Sequence, residues 1–141
     1  MALVKPIWPE LTEIISETPA IVLDGEYFIA ATGAGSAAPQ NSLMTFSDEV
    51  ETTFILSGDR LKEVRTSQQK GPYRVIRLAL SKPFFAPGFL ASAAKAIALQ
   101  RINQLVYSTY SFDYLLVNSE DLELATSGLA NMGFEIRAEH S

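Results

Sequence analysis

Between Tyr107 and Val117 two strand-prone runs meet at a short polar joint, Ser111-Phe112-Asp113. Helix-forming segments flank the pair on both sides. That arrangement restricts the C-terminal half to an order in which helix, two adjoining strands and helix follow one another. Arg74 to Leu80 alternates and is β-branched early, which predicts a strand ahead of the first helix. Phe89 to Gln100 is rich in Ala and Leu, both strong helix formers, and Leu90, Ala93, Ala94 and Ile97 recur at helical spacing. Pro87 suits the first position of that helix, where its missing N–H needs no partner. Gln104 to Tyr110 and Tyr114 to Val117 read as the paired strands.

After them, Asn118 and Ser119 are N-cap candidates, and Glu120 and Asp121 place negative charge in a first helical turn. Leu122, Ala125, Leu129 and Met132 form an apolar stripe, and Gly133 stands where a left-handed C-cap is expected. Phe134 to Arg137 alternates as a closing strand. The order is β-α-β-β-α-β, the ferredoxin-like arrangement in an α+β fold.

The first half reads as a less regular version of the same plan. Ala20 to Leu23 and Glu26 to Ala31 are strand-like, and Asp24-Gly25 between them predicts a hairpin. Thr32 to Asn41 is a loop of small residues where a first helix would fall. Leu43 to Phe46 and Thr52 to Leu56 suggest a second hairpin turning at Asp48-Glu49. Arg60 to Gln68 suggests a helix, and Ser67 to Pro72 a linker. The expected organisation is an irregular lobe over 1–68 and a regular one over 69–141.

Composition narrows the function. The chain has 141 residues, is 48% hydrophobic and carries a net charge of −5, which fits a packed globule and argues against a phosphate backbone as partner. With no cysteine, disulfides, thiol catalysis and thiolate metal sites are excluded. Met1 to Trp8 breaks at Pro6 and Pro9 without a signal-like apolar run, and no stretch approaches the length of a membrane span. A soluble cytoplasmic protein is expected, with no membrane or nucleic-acid partner.

Residues 85–94 (FAPGFLASAA), 108–117 (STYSFDYLLV) and 120–125 (EDLELA) resemble the ACT domain. The likeness is greatest to the branch shared by the CASTOR arginine sensors and small bacterial tandem-ACT proteins. This resemblance implies two ACT lobes that bind an amino acid or similar metabolite at a lobe interface. Carried onto this chain, the ligand contacts would be Pro87, Gly88 and Phe89 at the first loop. Ser108, Thr109, Tyr110 and Asp113 would contribute from the strand joint.

The residues themselves give compatible chemistry. A helix N-terminus after Pro87-Gly88 exposes N–H groups to a carboxylate, and Asp113 suits an ammonium or basic group. Gly33 to Ala38 matches G-x-G-x-x-A superficially, but Pro39 cuts across the helix that a dinucleotide site needs. Asp48, Glu49 and Glu51 read as a solvated turn, and His140, the one histidine, as a frayed tail residue. No cofactor, metal site or enzymatic activity is expected. The alternative to an effector-binding regulator is a ligand-free module for homodimerisation or docking on a protein partner.

Overall fold

Strand-forming and helix-forming stretches alternate along the chain, and the computed structural model describes residues 3–80 and 86–140. By its contacts the chain falls into two units, Met1–Asp24 with Arg74–Ser141, and Gly25–Tyr73. The expected cut after residue 68 falls at the start of a strand, β5 (Gln68–Leu78), whose residues 68–73 group with the second of these units.

The first unit contains the β-α-β-β-α-β run as the end of β5, α3 (Phe89–Ala98), β6 (Leu105–Ser108), β7 (Asp113–Asn118), α4 (Leu122–Met132) and β8 (Glu135–Ala138). Two N-terminal elements join it, α1 (Leu11–Ser16) and β1 (Pro19–Val22). The strand order is β8-β1-β5-β7-β6. β1 lies antiparallel to β5, with Ala20 opposite Leu78, and parallel to β8, with Ala20 opposite Ile136.

Alternation along each strand sends Ala20, Ile76, Leu78, Leu115 and Val117 to one face. There they meet Phe89, Ala93, Ala96 and Ile97 of α3 and Ala125, Leu129 and Met132 of α4 in a single apolar core. Leu11 and Ile15, one helical turn apart on α1, complete it. That short helix was not anticipated, because two buried residues in six make too little pattern to recognise.

The stripe on α4 is observed, and Gly133 ends the helix at φ 115° as expected. At its front, a 3-10 turn over Ser119–Asp121 precedes α4, and neither Asn118 nor Asp121 makes a side-chain cap. On α3 the buried set is Phe89, Ser92, Ala93, Ala96 and Ile97, so Leu90 and Ala94 lie only at the margin of the face predicted for them. Gly88, not Pro87, directly precedes the helix. The part of the preceding connection over residues 81–85 lies outside the described residues.

The second unit contains β2 (Tyr27–Gly33), β3 (Met44–Ser47), β4 (Glu51–Ser57), α2 (Gly58–Leu61) and the start of β5. Its order is β3-β4-β2-β5, with antiparallel neighbours throughout. Residues 34–43 contain no helix, as expected. Parallel neighbours need a long crossover, usually a helix, and without one the strands pair antiparallel. Ala30, Phe54, Leu56 and Leu61 form the unit's core. The acidic turn is structural: Asp48 Oδ1 accepts from the amides of Val50 at 2.8 Å and Glu51 at 2.9 Å.

Three expectations for this half need correction. Asp24-Gly25 does not close a hairpin, because β1 and β2 each pair with a different stretch of β5 and not with each other. Residues 68–72 are strand rather than linker, with Pro72 tolerated beside a register shift at an irregular pairing. The helix read over Arg60 to Gln68 is only the four-residue α2, since the chain turns back into β5.

Candidate functional site

The hairpin between β6 and β7 is tied by its own polar groups. Thr109 and Phe112 exchange backbone and side-chain bonds, with Thr109 N donating to Phe112 O at 2.8 Å and Phe112 N to Thr109 Oγ1 at 3.1 Å. Ser108 and Asp113 stand directly opposite each other across the strands. Ser108 Oγ donates to Asp113 Oδ1 at 2.6 Å, so the carboxylate is held in place by its cross-strand neighbour.

Beside this hairpin the first turn of α3 opens. Gly88 takes φ 86°, a left-handed conformation that turns the chain into the helix. The ring of Phe89 is 2% exposed and packs edge-on against Phe134 at 5.8 Å, which anchors the helix start in the core. Phe89 N and Ser92 N are occupied by the carbonyls of Ala86 and Gly88. Among the described residues, no carbonyl one turn back accepts from the remaining first-turn amides, those of Leu90 and Ala91.

The two elements enclose a cleft of about 240 Å³ lined by Ala86, Gly88, Phe89, Leu90, Ala91, Ser108, Thr109 and Asp113. Five of the seven residues singled out from sequence therefore converge. Pro87 and Tyr110 do not line the cleft, and Tyr110 is 86% exposed on the hairpin tip. Phe89 contributes through its place at the helix start, since its ring is committed to the core. All the lining residues belong to the first unit.

A wider depression of about 500 Å³ lies between the start of α4 and the ends of β1 and β8, with Ser119, Glu120, Glu123 and Arg137 on its rim. It holds none of the seven ligand contacts expected from sequence. Arg137 there is engaged by Glu135 through two bonds of 2.9 Å.

Residues 70–131 match the sequence model of the ACT domain family. Over that stretch the chain is similar to an ACT domain. No curated protein sequence gives a significant match. Among solved structures, protein Atu0741 from Agobacterium tumefaciens is 27% identical, with 88% of this chain and 95% of that chain covered and a TM-score of 0.73. A protein of unknown function from Vibrio cholerae, VC0802, described as a possible transport protein, shares 18% identity over 88% and 96% of the two chains at a TM-score of 0.73. The regulatory subunit of aspartate kinase from Thermus flavus shares the fold at a TM-score of 0.60, with 10% identity over 92% and 97%.

One residue beside the cleft was missed. Residues 3–8 run as a strap along the helices: Leu3 N and Val4 N donate to Asn131 O, Lys95 Nζ to Lys5 O, and Ile7 N to the buried Ser92 Oγ. The strap ends with the indole of Trp8 against Gly88. A Cβ placed on Gly88 would lie 2.8 Å from Trp8 Cδ1. No sequence signal marked Trp8, because its partner is a glycine eighty residues away. No described helix is long and apolar enough to cross a membrane.

Proposed function

We propose that the ACT domain binds an amino-acid-like effector in the cleft between the start of α3 and the β6–β7 hairpin, and that occupancy regulates a partner protein or the chain's own assembly. The observation that carries this reading is the meeting of opposite poles in one cleft. Free amides at a helix N-terminus suit a carboxylate, and Asp113, with one oxygen fixed by Ser108, suits an ammonium. The cavity lies below the ~300–1,000 Å³ of drug-sized sites, which favours a ligand no larger than an amino acid.

Among the described residues Asp113 is the one ionisable side chain lining the cleft, and the hydroxyl beside it donates to it instead of being activated by it. That supports binding and not catalysis. The same reading takes the second unit as a degenerate ACT-like lobe.

A thermal-shift screen against the twenty amino acids tests the proposal. A ligand at 100 times its Kd adds about 2.7 kcal/mol of stability, a shift of several degrees for a chain of this size. Asp113→Asn should remove the shift while leaving the unliganded melting temperature close to wild type. A panel without any shift would favour the assembly role, through the exposed β6 edge that carries Val106.

A further inference from the structure

The only histidine in the sequence is His140, and it is not frayed. Its Nδ1 is hydrogen-bonded to Asp24 Oδ2 just beyond the end of β1. The neighbouring Glu139 reaches the same place from the tail that follows β8, where its Oε1 accepts from the Asp24 amide at 2.9 Å. Glu139 N in turn donates to Val22 O at 3.0 Å, so backbone as well as side chains hold the two strand ends together. One ligand atom from each of Asp24, Glu139 and His140 lies within 4.8 Å of the others.

We propose that Asp24, Glu139 and His140 form a site for a borderline divalent transition-metal ion of the Zn²⁺ type, which clamps the C-terminal tail to the end of β1. One imidazole and two carboxylates are a donor set that such ions accept, whereas Mg²⁺ and Ca²⁺ take oxygen ligands and have little use for the imidazole. Charge points the same way. Two carboxylates around a single imidazole leave uncompensated negative charge in either protonation state of the ring, and a dication neutralises both. Ligand atoms on one Zn²⁺, at bonds of about 2.0–2.2 Å, stand roughly 3 Å apart. Closing the present triangle therefore takes side-chain rotation of groups at the surface, while the backbone pairing of β1 with β8 already fixes the approach. Water would fill the remaining coordination positions. The site lies apart from the effector cleft and shares no residue with it.

The test is Zn²⁺ titration of the full chain without a histidine tag, followed by competition with a chromogenic chelator and by the ring-proton resonances of the single histidine. One equivalent of Zn²⁺ should bind and move the His140 signals. Binding should fall at least about tenfold in His140→Ala, a loss that even removal of a supporting outer-shell group can produce. Asp24→Asn and Glu139→Gln should each weaken it, with Mg²⁺ failing to compete and circular dichroism unchanged. Absence of Zn²⁺ binding to the wild type, or equal binding in His140→Ala, would overturn the site.

Discussion

At Asp113 the proposed binding role would add a second demand to closing a strand pair, that of keeping acceptor capacity for a ligand. Ser108 meets the first with a 2.6 Å bond to Oδ1. A hydrogen bond to a charged group contributes about 1.5–3 kcal/mol. Asp113→Ala should therefore lower effector affinity by one to two orders of magnitude, measured by calorimetry once the screen has named the ligand. Gly88 is a different kind of residue. Its φ of 86° and the indole at 2.8 Å both resist a side chain, so Gly88→Ala should cost about 1–2 kcal/mol from the backbone alone. Denaturant melts of Gly88→Ala with and without Trp8→Ala would check this. The second change should recover only the steric part, because it cannot relax the left-handed backbone. Glu135 offers a pH reading. The hydrogen bond from Arg137, and then its charge, hold this exposed carboxyl below the ordinary glutamate value. A depressed acid stabilises the fold above its unfolded pKa, and that contribution fades as pH falls through the folded one. In an NMR titration Arg137→Ala should move the Glu135 midpoint upward to the ordinary value, and high salt should narrow the difference.

The helices and strands of the C-terminal run show what local pattern can and cannot specify. α3 and α4 touch where Gly128 faces the backbone of Ala96, and a Cβ on Gly128 would stand 2.5 Å from the Ala96 carbonyl oxygen. Alanine gains up to ~1 kcal/mol in helix propensity over glycine. Overpacking against an unyielding backbone costs about 1–3 kcal/mol, so the clash should win or at best be balanced. Gly128→Ala is expected to lower the melting temperature, although it is the better helix former. The α4 stripe, the glycine C-cap and the β6–β7 pair were legible because each is written in contiguous residues. The meeting of Asp113 with the start of α3 was legible through the β-α-β-β-α-β order and the family likeness. By contrast α1 and the strap carry signals too short to read, and β1, though strand-like in sequence, gave no sign of where it pairs. The partners of β1 and the strap, Leu78, Ile136, Ser92 and Gly88, lie 58 to 116 positions away. Residues 68–72 of β5 were mistaken for a linker because Gly71-Pro72 interrupts the pattern of that strand.

At the scale of the molecule the first unit is not a contiguous segment. It takes in α1 and β1 from before residue 25 and resumes at residue 74. A fragment of residues 69–141 would contain the whole family match, yet would lose Leu11, Ile15 and Ala20 from the core and the strand between β5 and β8. Leu or Ile truncations in a core typically cost 2–5 kcal/mol each. Loss of three core residues together exceeds the reserve of most small domains. The fragment should therefore show little cooperative unfolding by calorimetry, while the full chain melts sharply. The position of β1 also bears on the order in which the chain is made. Its two neighbours are translated after it, β8 last of all, so at ~5–20 residues per second β1 waits several seconds or longer on the ribosome before that edge can close. During that interval its apolar face has no permanent cover, which makes the first twenty-four residues those most in need of a chaperone.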